Sequence, residues 1–124
     1  MTTEKQLKKT KADQVLDSLY GIAKTWFRAS QDDMVELEDI AKPIEYYKVM
    51  LNRFRTNSTV ATFLMSLLFR LKEHKADDFI TESLLRYHLE ELKNVSSRMS
   101  AEDAVAYLSI AAVLNTLLNK FFPN

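Results

Sequence analysis

Residues 59–71 read TVATFLMSLLFRL, and wound as a helix they leave almost no polar face. Val60, Ala61, Phe63, Leu64, Met65, Leu67, Leu68, Phe69 and Leu71 surround the axis, while Thr62, Ser66 and Arg70, four residues apart, form a single narrow polar ridge. A helix that is apolar nearly all round belongs at the centre of a bundle or in a membrane. This run is too short, and too soon interrupted by Arg70 and Lys72, to span a bilayer. It predicts the central helix of an all-α domain, buried by its neighbours.

The flanking sequence supplies those neighbours. With one glycine and two prolines in 124 residues, few places can break a helix. A first helix is expected to begin at about Thr3 or Thr10 and to end at Ala29, with Val15, Leu19, Ile22 and Trp26 along its core stripe. Gly21 inside that stripe marks a close helix crossing or simply weakens the helix by about 1 kcal/mol relative to alanine. Ser30 with Asp33 has the spacing of a capping box and predicts a short second helix through Met34, Leu37 and Ile40. Lys42 before Pro43 breaks the chain again. From Pro43 a helix follows with Ile44, Tyr47, Met50, Leu51 and Phe54 inward, Lys48, Asn52 and Arg55 on one flank, and Tyr46 with Arg53 on the other. Four cap-forming residues, Thr56, Asn57, Ser58 and Thr59, predict a break before the central helix. Asp77 with Asp78, and Ser100 with Asp103, start the last two helices, the second of which stops at Pro123. The expectation is a single domain over 1–124, a bundle of about five or six helices joined by short loops, with residues 1–11 a basic arm.

Composition narrows function. There is no cysteine, which removes disulfides, thiolate catalysis and thiolate metal sites and favours an intracellular, cytoplasmic home. No secretory leader is read in the polar, basic opening residues. Seventeen basic residues balance seventeen acidic ones, so any nucleic-acid contact must use a local patch or a partner's charge. One glycine rules out a glycine-rich phosphate loop. His74 and His88 have neighbouring acids, Asp77 and Asp78 or Glu82 and Glu91, but neither set has the spacing of a metal site or a catalytic dyad. The chain therefore reads as a non-enzyme with no metal and no cofactor. Asn115 and Asn119, one turn apart on the last helix, either find partners inside the fold or meet another subunit.

The best candidate surface is basic. Lys48, Arg53 and Arg55 continue into the hydroxyls and amides of Thr56 to Thr59 and on to Arg70. Cations beside a capped helix start suit phosphate oxygens, because free N–H groups and the helix dipole add to the side-chain charge.

The order of these features, with NRFRTNSTVATFLMSLLFRLKE at 52–73 and YLSIAAVLNTLLNKFF at 107–122, resembles the small subunits of type I and type III CRISPR interference (effector) complexes. The resemblance implies an all-helical, non-catalytic subunit of a ribonucleoprotein complex. Its partners would be other protein subunits, including copies of itself, and the backbone of a guide RNA or target strand, with no membrane. Under it, Lys48, Arg53, Arg55 and Arg70 would be the contacts. An alternative class is a helical protein–protein interaction module, such as a phage-encoded inhibitor, an immunity protein or an assembly chaperone. Its charged surface would be Asp32, Asp33, Glu36, Glu38 and Asp39.

Overall fold

Thr10 opens the first helix with a reciprocal capping box. Its hydroxyl accepts from the Asp13 backbone N–H, and the Asp13 carboxylate accepts from the Thr10 N–H. From this start the chain continues as a helix far past Ala29. A computed structural model describes residues 9–123 and, among them, four helices: α1 (Lys11–Glu38), α2 (Ile44–Glu73), α3 (Asp78–Ser96) and α4 (Ala101–Phe121). Of the expected basic arm over 1–11, residues 1–8 lie outside the described residues; Lys9 pairs with Asp17, and Lys11 is already helical.

The all-α class stands, but the described residues form four helices, not five or six. Two expected breaks are missing, and in both places the polar residues serve another partner. Ser30 and Asp33 do not cap a new helix; both are buried inside α1. Asn57 does not end a helix either, because its side-chain amide donates to Asp33 at 2.6 Å. Residues 56–59 consequently run through the middle of α2. The remaining caps follow the sequence: Asp77 accepts from the Ile80 N–H and Ser100 from the Asp103 N–H. Between α2 and α3 the chain turns at Lys75, whose φ of 48° is left-handed, with the Ala76 N–H returning to the Leu71 carbonyl.

Helices α1 and α2 form one antiparallel hairpin and α3 with α4 a second, shorter one, and the two pack mainly through α2 against α4. Val60, Leu64, Leu67 and Leu71 meet Val15 and Leu19 from α1, Leu85 and Leu89 from α3, and Ile110, Leu114 and Phe121 from α4. The expected central helix is thus the C-terminal half of α2, but its neighbours bury only the Val60, Leu64, Leu67 and Leu71 side: Phe63 and Met65 are half-buried and Phe69 is exposed. Helix α4 is long and apolar enough to cross a membrane by length and composition, yet here Ile110, Leu114, Leu117 and Leu118 are core residues.

The core takes residues from α1 only as far as Trp26 and from α2 only from Val60 onward. Since 28 and 30 residues of helix extend about 42 and 45 Å, the far half of this hairpin stands clear of the second one. Met50 is the one buried apolar side chain in residues 28–56. Polar bonds hold this half instead. Asp33, almost wholly buried, accepts from the Arg53 Nε at 2.9 Å and from Asn57, while the Tyr46 hydroxyl donates to Glu36 at 2.8 Å. An Asp33→Ala variant leaves the half-buried Asn57 amide without its acceptor and returns the exposed Arg53 guanidinium to water. It should lose about 1–3 kcal/mol in a denaturant melt, with hydrogen exchange accelerated in residues 28–56 ahead of the core.

Gly21 is exposed, has a helical φ, and a Cβ built on it meets nothing within 4 Å. No close crossing requires it. Gly21→Ala should therefore stabilise the protein by about 0.5–1 kcal/mol, read as a raised melting temperature.

Candidate nucleic-acid interface

Because α2 does not break at 56–59, two polar features expected on separate helices fall into phase. At 100° per residue, Lys48, Asn52, Arg55, Thr59, Thr62, Ser66 and Arg70 occupy one face of a single helix. All are exposed except the half-buried Asn52. Opposite them lie Met50, Val60, Leu64, Leu67 and Leu71, all buried, so the core fixes the stripe outward. From Lys48 to Arg70 it extends about 33 Å.

The charge on this helix departs from the neutral balance of the whole chain. Between Glu45 and Glu73, α2 carries Lys48, Arg53, Arg55, Arg70 and Lys72 and no carboxylate. The hydroxyls on the stripe are uncommitted as well. Thr25, Ser109 and Thr116 on other helices turn back to the carbonyl four residues earlier, whereas among the described residues Thr59, Thr62 and Ser66 have no hydrogen-bond partner in the protein.

Of the four basic positions marked in the sequence, Lys48, Arg55 and Arg70 lie on the stripe. Arg53 points the other way, toward α1, where it bonds Asp33 and lies 3.8 Å from Glu36. The Asp33 hydrogen bond raises the Arg53 pKa further above its ordinary value. Its place in the fold is that of the hairpin clamp. No helix N-terminus opens at 56–59, so the anion-binding contribution of free N–H groups and a dipole expected there is absent.

Two grooves flank the stripe. Toward α1 lies an apolar one of about 610 Å³, lined by Tyr20, Phe27, Met34, Phe54, Met65 and Phe69, with Lys24 at its edge. Toward α3 and α4 lies one of about 500 Å³ that includes Thr59, Thr62, Ser66, Arg70, His88 and Tyr107. Among the described residues, no carboxylate lines either groove. His88 stands edge-on to Phe63, ring centres 5.6 Å apart. Burial pushes its pKa below the ordinary histidine value, the Arg70 charge acts the same way, and Glu91 opposes both. The imidazole is therefore neutral at pH 7. His74, by contrast, is exposed at the end of α2.

Nothing in the sequence pointed to this second groove, since His88 and Tyr107 come from helices far from Arg70 in the chain. The acidic stretch around Asp32 divides: Asp33 and Glu36 serve the clamp, while Asp32, Glu38 and Asp39 are exposed. Asn115 and Asn119 are exposed on α4. Among the described residues, no three histidine or carboxylate side chains gather where they could hold a metal ion. No protein-family model matches the chain, and neither a curated protein nor a solved structure does so.

Proposed function

We propose that this protein is a non-catalytic helical subunit of a larger nucleoprotein assembly, and that its α2 stripe lies along a sugar-phosphate backbone. One observation carries the reading: an exposed line of cations and uncommitted hydroxyls, about 33 Å long, on a helix free of acid from Tyr46 to Lys72. Phosphates take charge and hydrogen bonds from such side chains without regard to base sequence. The resemblance of the 52–73 and 107–122 sequences to CRISPR effector small subunits is in line with this reading, with a guide RNA or target strand as the nucleic acid and the cytoplasm as its place.

Three cations give the isolated chain little affinity at physiological salt; repeated copies and neighbouring subunits raise it in the assembly. The test is charge reversal at Lys48, Arg55 and Arg70, with nucleic-acid binding of the assembly followed across a salt series. Unchanged affinity and salt slope would make the stripe a solvated helix face.

The apolar groove between α1 and α2 favours a second reading, a protein-interaction module whose partner covers Tyr20, Phe27 and Phe69. Copurification of a stoichiometric protein partner without nucleic acid, lost on Phe27→Ser, would put it first.

A further inference from the structure

The groove between α2 and the second hairpin changes character along its length. At one end are Arg70 and the hydroxyls of Thr62 and Ser66. Past His88 it opens into a smaller hollow of about 200 Å³ lined by Glu91, Leu92 and Val95, and Phe63, His88 and Tyr107 belong to both spaces. A cationic, hydroxyl-bearing end thus leads over an aromatic wall into a mainly apolar end whose one carboxylate, Glu91, keeps a phosphate at the Arg70 end. Few ligands carry the matching sequence of parts. An anion alone leaves the aromatic wall bare, and an apolar peptide leaves Arg70 and the hydroxyls facing no acceptor. A nucleotide has each part in order: phosphate, sugar hydroxyls, then a flat base that stacks on aromatic rings with little regard to its identity.

We propose that this groove is a subsite for one unpaired nucleotide of a single strand, its phosphate at Arg70 and its base against Tyr107 and Phe63. The proposal rests on the backbone reading above and narrows it, because a base held in a duplex is not free to leave its stack and enter. Single-stranded nucleic acid then becomes the preferred ligand of the stripe. His88, which lines both spaces, is the natural reporter: a phosphate brought near it favours the protonated imidazole and opposes the present lowering by burial and Arg70. Arg70, Glu91, Tyr87 and Tyr107 are the other titratable groups around it.

The test uses the full chain at low salt, where a few phosphate contacts give measurable binding, with a labelled oligouridylate and a duplex of the same length, anisotropy for affinity and imidazole NMR for His88. Tyr107→Leu should weaken the single strand about fivefold or more, the low end of one base-stacking contact, and leave the duplex unchanged. Saturating oligouridylate should raise the His88 pKa. Since Tyr107 also touches the core, His88→Gln, at a half-buried position, provides a second variant and should weaken the single strand in the same direction while melting like the wild type. Strand affinity unchanged in both variants, or a His88 pKa unmoved at saturation, overturns the subsite. So does a rise with uridine monophosphate but not with the strand, which would make the groove a free-nucleotide site. Lys48→Glu with Arg55→Glu separates the two levels. If that pair still lowers binding of both probes while the groove variants do nothing, the backbone reading stands and the subsite fails; if it too does nothing, the reading itself fails.

Discussion

Leu64→Ala should cost about 2–5 kcal/mol in a denaturant melt, enough to bring a domain of this size close to unfolding. Leu64 is fully buried where α2 crosses the core and belongs to one cluster with residues of all four helices. Deleting its branched end removes the transfer energy of the lost carbons and leaves a cavity that long rigid helices cannot easily close. Leu67→Ala, at a site only 3% exposed, should fall in the same range. A loss below about 0.5 kcal/mol at both positions would show that the C-terminal half of α2 is not the core. The location of the effect matters as much as its size. Because the far half of the α1–α2 hairpin is held by Asp33, Arg53 and Asn57 rather than by this cluster, Leu64→Ala should lower protection across the whole bundle. Asp33→Ala should act first on residues 28–56.

That contrast also explains which parts of the fold are legible in the sequence. Thirteen residues of nearly unbroken apolar surface have one physical solution in water, so TVATFLMSLLFRL by itself locates the core. Caps at Asp77 and Ser100 are legible for a similar reason: their hydrogen bonds close within three residues of sequence. Ser30, Asp33 and the 56–59 run carry the same local chemistry with a different outcome. A carboxylate three residues after a serine is a capping box only if nothing better is within reach, and Asp33 has Arg53 and Asn57 on the neighbouring helix, 20 and 24 residues away. Local signals cannot disclose such a partner. The same limit applies to the site. Lys48, Arg55 and Arg70 are recognisable as cations, but the stripe depends on α2 being continuous, and the removal of Arg53 from it depends on where Asp33 lies.

Reversing Lys48, Arg55 and Arg70 to glutamate together should lower nucleic-acid binding of the assembly about tenfold or more at low salt and flatten its salt dependence. Each phosphate contact releases condensed counterions and contributes about 0.7 to the slope of log affinity against log salt on a single strand, so the loss of three should reduce that slope by about 2. The effect should be equal for unrelated sequences, because backbone contacts carry no base information. All three side chains are exposed on the face of α2 away from the core, so the variant should melt close to the wild type. Arg53→Glu is the matched comparison. It adds one more charge reversal on the same helix, but places a carboxylate against the buried Asp33 and near Glu36. It should therefore destabilise the hairpin while leaving the salt slope of the folded protein where it was. If instead Arg53→Glu flattens the slope and the triple reversal does not, the nucleic acid runs along the α1 side of the hairpin, and the α2 stripe is a solvated surface.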